Sequence, residues 1–149
     1  MKKLLQTPSF YLTVAFFIAL TSMMGSLYFS EIQKYLPCVL CWYQRICMFP
    51  LVVILGVALW RNQKGAEYTA LPFSIVGLGI AAYHSYIYWL ANFSSQAGSY
   101  VSPCSLTGES CTTRYIELFG FVSIPLLSFF AFAGITGCLL ISWFLSRQK

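Results

Sequence analysis

The sequence predicts an all-α membrane protein, a bundle of four transmembrane helices with both termini cytoplasmic. Three observations predict it. Of the 149 residues, 58% are hydrophobic and only 9% are charged, whereas a soluble domain carries about 25% charged residues. The apolar residues gather in four long runs. The basic residues flank those runs on alternate sides. A surface this apolar needs lipid as its solvent. The net charge of +5 comes from short basic clusters beside the runs rather than one patch, so no nucleic-acid partner is expected.

A spanning helix needs roughly 20 mostly apolar residues. Residues 10–29 supply the first span. This stretch is about twice the length of a signal-peptide core and no small-residue cleavage site ends it, so it reads as a retained helix. The second span is less obvious, because its purely apolar part runs from Ile46 to Trp60, only 15 residues. That length covers roughly 22 Å of a hydrocarbon core about 30 Å thick. The helix must therefore extend through Arg45, Gln44 and Tyr43 towards Cys41, which places the span at residues 39–60. Residues 70–91 form the third span and residues 118–145 the fourth, which is long enough to tilt. A lone segment in lipid satisfies its backbone polar groups only as a helix, so the four runs are four helices of one domain.

Orientation follows from lysine and arginine. Lys2, Lys3, Arg61, Lys64, Arg147 and Lys149 all fall on one side if the chain threads four times. That side is expected to be the cytoplasm. The loops at residues 30–38 and 92–117 then face outward.

Six cysteines punctuate this plan. Cys38 and Cys41 form a C-x-x-C at the outer end of the second span. Cys104 and Cys111 lie in the long outer loop. All four are expected on the oxidising side, where disulfides persist. Cys47 and Cys138 fall inside spans and read as small apolar core residues. A C-x-x-C can be a redox pair, half a zinc site or a structural disulfide. Position favours the redox reading. The pair sits where a helix begins, and the first amides of a helix favour a thiolate.

Two polar residues inside the spans need a reason. Arg45 is four residues after Cys41 and lies about 8 Å below the outer edge of the core. It either snorkels to lipid phosphates or stabilises an anion, a thiolate or a reduced carrier. His84 lies roughly 21 Å up the third span, at nearly the same depth. It is either bonded to a neighbouring helix or part of a site. Trp42, Tyr43, Tyr83, Tyr86, Tyr88 and Trp89 form an outer aromatic belt, with Trp60 and Trp143 as its inner counterpart.

The run PCVLCWYQRICMFP, Pro37 to Pro50, closely resembles the DsbB/BdbC family of membrane thiol:quinone oxidoreductases. Tyr43 and Arg45 after the C-x-x-C, the four spans, the second outer cysteine pair and GFVSIPLLSF, Gly120 to Phe129, agree with it. Proteins like vitamin K epoxide reductase share the topology, but carry their C-x-x-C near the last span. The resemblance implies an enzyme that reoxidises a soluble thioredoxin-like protein of the DsbA or BdbD kind and passes the electrons to ubiquinone or menaquinone. It places the protein in the inner or plasma membrane. It matches Cys38 and Cys41 to the quinone-proximal pair, with Cys41 engaging the quinone, and Arg45 to the arginine that assists. Cys104 and Cys111 match the pair that meets the partner, with Cys104 forming the mixed disulfide. His84 aligns loosely with a histidine near the quinone. Only six residues separate Cys104 from Cys111, which is closer to the Gram-positive branch.

Two other readings compete. Four outer thiolates would suit zinc, but the oxidising side and the membrane edge oppose it, and no resident metal is expected. A small channel or assembly subunit would use the outer disulfides only as staples.

Overall fold

A computed structural model describes residues 7–34, 37–63, 65–93 and 124–148. Four helices account for nearly all of them: α1 at Pro8–Leu27, α2 at Val39–Trp60, α3 at Ala66–Phe93 and α4 at Ile124–Arg147. All four are long and apolar enough to cross a membrane, so the chain is an all-α, multi-pass membrane protein. Cys104 and Cys111 lie outside the described residues, as does the stretch from 118 to 123.

The helix ends follow from local chemistry. Pro8 occupies the first turn of α1, where its missing N–H costs nothing. Past Leu27 the helix widens into a π-helical turn at Tyr28–Ile32, closed by the Gln33 amide donating to the Tyr28 carbonyl. At the far end of α2, Asn62 adopts the left-handed conformation with φ 48°. The Gln63 amide then donates to the Ala58 carbonyl and the Asn62 amide to the Leu59 carbonyl. This is a Schellman termination, and asparagine tolerates its strained position better than most residues.

Each helix packs against two others, in the cyclic order α1, α2, α3, α4. Cross-helix pairs fix their directions. Ser85 meets Pro125 and Ser74 meets Thr136, so α3 and α4 are antiparallel. Ser142 donates to the Pro8 carbonyl, so α1 and α4 are too. The bundle is apolar outside as well as inside, and a few polar side chains are buried within it. Phe17, Val53, Val57, Ile75, Val76, Phe130 and Phe144 are exposed, whereas Gln44, Ser74, His84, Thr136 and Ser142 are buried. Leu12, Leu51, Leu55, Phe132, Ile135 and Leu139 fill the middle with alanines and Cys47 between them. Cys138 packs partly buried against that core.

Small residues set how closely α3 and α4 approach. A Cβ on Gly77 would run into the Phe132 ring, which is 1% exposed and has no room to swing. Close helix contact in lipid depends on such residues. Gly77→Ala is expected to destabilise the bundle by about 1–3 kcal/mol, the usual cost of overpacking, despite alanine's better helix propensity. Thermal unfolding in detergent checks this. The double variant Gly77→Ala with Phe132→Leu should recover most of the loss, and no recovery would locate the defect elsewhere.

Candidate functional site

The C-x-x-C lies at the start of α2. Cys38 is the N-cap residue, in an extended conformation, and the Trp42 amide donates to its carbonyl to close the first turn. One turn on, Cys41 stacks beneath it on the same face. The two cysteines are not joined as a disulfide, and their sulfurs stand 3.2 Å apart. Cys38 is buried and Cys41 only partly so, so the pair has one shielded and one reachable sulfur. Leu40 and Ile87 pack around Cys38.

His84 of α3 comes to the pair from the neighbouring helix. Its Nε2 is 3.9 Å from Cys38 Sγ. Its Nδ1 is 3.2 Å from the side-chain amide of Gln44, one residue before Arg45 on α2. His84 and Gln44 are both buried, at 2% and 8% exposure. An amide can donate through nitrogen or accept through oxygen, so Gln44 can hold His84 in either neutral tautomer. Gln44 had no role in the sequence reading beyond lengthening the helix. The available signal was its spacing, three residues after Cys41.

Cys38 stands one residue outside the span, and its thiol is lowered to about 4. The largest cause is the hydrogen bond from the Cys41 thiol. Burial opposes it, and the hydrogen bond and charge of His84 and then the Cys41 amide add to it. These contacts favour the charged form of Cys38.

Arg45 turns toward α1. Its Nε donates to Ser26 Oγ and its Nη2 to the Ser26 carbonyl, both at 2.8 Å. Its guanidinium lies 5.4 Å from the Trp42 ring centre. Among the described residues its hydrogen bonds go to α1 and none to the sulfurs. Arg45 thus ties α1 to α2 beside the cysteine pair, while His84 touches it. Trp42, Tyr43, Tyr83, Tyr86 and Trp89 of the aromatic belt are exposed at this end, whereas Tyr88 is buried.

Comparison with known proteins places this arrangement. The family described as Disulfide bond formation protein DsbB matches residues 8–142. The chain belongs to the DsbB family. Disulfide bond formation protein C of Bacillus subtilis (strain 168) is 43% identical over 122 residues, covering 82% of this chain and 84% of that protein. A probable disulfide formation protein C 2 of Bacillus anthracis is 42% identical over 140 residues, 94% of each chain. A probable disulfide formation protein of Metapseudomonas resinovorans is 39% identical over 121 residues, 81% of each. No solved structure matches. As a DsbB-family member the chain is a membrane disulfide oxidoreductase.

Proposed function

We propose that the chain reoxidises a soluble thioredoxin-like thiol oxidase, of the DsbA or BdbD kind, and delivers the electrons to a membrane quinone, ubiquinone or menaquinone. The observation that carries this reading is the Cys38–Cys41 pair itself. Two sulfurs 3.2 Å apart sit at the start of a membrane-spanning helix, with buried His84 against one of them. The active cysteines belong on the outer face of the inner or plasma membrane, because the basic residues gather at the opposite ends of the helices.

The residues present fit a quinone. Cys41 is only partly buried. Arg45 spends Nε and Nη2 on Ser26, and among the described residues Nη1 has no bond, so it retains donors for an oxygen. Arg45 and His84 would hold the carrier. When bound, a quinone supplies a lipid-soluble acceptor for two electrons and two protons.

The chain's own residues do the sulfur chemistry. A thiolate of the partner attacks Cys104 of an oxidised Cys104–Cys111 pair and releases Cys111 as a thiolate. Attack by the second partner thiol on the mixed disulfide frees Cys104 and leaves the partner oxidised. The reduced loop pair then exchanges with oxidised Cys38–Cys41, leaving both of those sulfurs reduced. Cys38 is the better leaving group in that exchange, because its thiolate is the stabilised one. The Cys41 thiol and His84 receive the charge as it develops.

Purified protein mixed with reduced partner and quinone should reduce the quinone catalytically. No reduction with any quinone, while thiol exchange proceeds, would remove the acceptor from this reading. Cys111→Ala should trap a mixed disulfide between Cys104 and the partner, because the resolving thiol is gone. Non-reducing gels would show it as a band lost on reduction, and trapping by Cys104→Ala instead would reverse the two roles.

A further inference from the structure

The reduced site gathers two thiols and an imidazole as closely as a metal site does. Cys38 Sγ, Cys41 Sγ and a ring nitrogen of His84 all lie within 4.8 Å of one another, the one such group among the described residues. We propose that the reduced Cys38–Cys41 pair and His84 form a three-ligand site for a thiophilic divalent cation of the zinc class, whose occupation blocks the redox cycle.

The geometry needs little adjustment. Zinc takes sulfur at about 2.3 Å and histidine nitrogen at about 2.0–2.1 Å in a tetrahedron, so its ligands stand roughly 3.8 Å (S to S) and 3.6 Å (S to N) apart. The observed separations are 3.2 Å between the sulfurs and 3.9 Å from Cys38 Sγ to His84 Nε2. Small shifts in opposite senses close these two differences, and the third separation, Cys41 Sγ to the His84 nitrogen, lies within 4.8 Å and closes toward roughly 3.6 Å on binding. Gln44 supplies the usual support of a ligating histidine. Ligation through Nε2 requires a proton on Nδ1; the Gln44 amide nitrogen stands 3.2 Å from Nδ1, and a flip of that amide puts its oxygen there to accept the proton. The site stays open at a fourth position, as in zinc centres that keep an exchangeable ligand.

The binding step balances without electron transfer. Two metal–sulfur bonds and one metal–nitrogen bond form, any S–H bonds still present break, and their protons go to the buffer. A metal-bound pair cannot become a disulfide without releasing the metal, and a disulfide offers no thiolate to the metal. The two states exclude each other. This site differs from four-thiolate coordination by both cysteine pairs, since it uses an imidazole and needs neither Cys104 nor Cys111. It is independent of the electron acceptor.

The test uses the full chain carrying Cys104→Ser and Cys111→Ser, reduced anaerobically and titrated with cadmium ion. Expected are one cadmium per chain, a sulfur-to-cadmium charge-transfer band, and no binding after the remaining pair is oxidised. Cys38→Ser and Cys41→Ser should abolish the tight phase. Gln44→Leu, which removes only the support of the histidine, should weaken it about 10- to 100-fold. The contrast between reduced and oxidised forms of one protein requires no further variant, so a folding defect cannot mask the answer. Binding that survives oxidation, or that is the same in Cys38→Ser and Gln44→Leu, would overturn the site. Binding by the wild-type chain but not by the Cys104→Ser/Cys111→Ser chain would also overturn it, in favour of four-thiolate coordination.

Discussion

Arg45→Met is expected to lower quinone turnover by about 10- to 100-fold while leaving the exchange with the thiol partner nearly unchanged. The magnitude is that of one lost charge-assisted hydrogen bond, about 1.5–3 kcal/mol. The position explains why the loss is not screened. Arg45 is partly buried in α2 one turn below Cys41, near the edge of the hydrocarbon, where an anion formed on reduction needs a fixed cation. Its own pose is fixed by two bonds to Ser26 and by the Trp42 ring. Lysine can restore the charge but cannot donate to both Ser26 atoms in the same planar arrangement, so Arg45→Lys should keep only part of the activity. The pose also creates a competing explanation, that Arg45 merely clamps α1 to α2. Ser26→Ala tests it, because it removes one bond of the clamp and keeps the charge. A clamp predicts that Ser26→Ala and Arg45→Met share a loss of thermal stability and a general loss of rate. A charge at the acceptor site predicts a selective loss of quinone affinity or turnover in Arg45→Met alone. Wild-type quinone kinetics in the methionine variant would sink the proposed role.

The four helices were legible because bilayer thickness fixes the length of a span. That constraint carried the second helix past its short apolar run into Tyr43, Gln44 and Arg45, and α2 does contain them. Which faces of the helices meet was not legible. The helices are apolar on nearly every side, since lipid and core are both apolar, so periodicity does not select the buried face. This is why His84 could be singled out as an ionisable residue in a span, yet its contact with Cys38 and Gln44 could not. A neutral amide in the outer turn of a helix resembles any interfacial glutamine until α3 is packed beside it. Arg45 shows the same limit in reverse. The sequence offered it lipid phosphates or an anion, but side-chain direction depends on the neighbour, and Ser26 of α1 accepts its bonds. The expectations for Cys104 and Cys111 rest on residues outside the described ones.

The reduction potential of the Cys38–Cys41 pair is expected to fall by only about 30 mV per pH unit across neutral pH, half the slope of an ordinary dithiol. Reducing a disulfide to two thiols takes up two electrons and two protons, which gives about 60 mV per unit. Here one product stays ionised. Cys38 is lowered from the ordinary thiol value of 9.0 to about 4, first by the Cys41 thiol donating to it and then, against the effect of burial, by His84. Because the value is depressed, the extra stability of the reduced state is fully present above the ordinary thiol value. It shrinks as pH falls and is gone below about 4. At neutral pH much of it remains, so the pair is a stronger oxidant than an unperturbed C-x-x-C. The measurement is the equilibrium of the Cys104→Ser/Cys111→Ser chain with a thiol buffer at several values between about pH 5 and pH 8. A slope near 60 mV throughout that window would show both thiols protonated and would refute the stabilised thiolate. The causes separate by thiolate absorbance of Cys38 in single variants of the same chain. Cys41→Ala removes the leading donor and should most raise the pH at which Cys38 ionises. Cys41→Ser keeps an O–H donor in place and should raise it less. His84→Phe removes a secondary contribution, so Cys38 should ionise at a higher pH than in the parent but below its pH in Cys41→Ala. An equal rise in Cys41→Ala and Cys41→Ser would mean that sulfur chemistry rather than a donated hydrogen bond holds the thiolate.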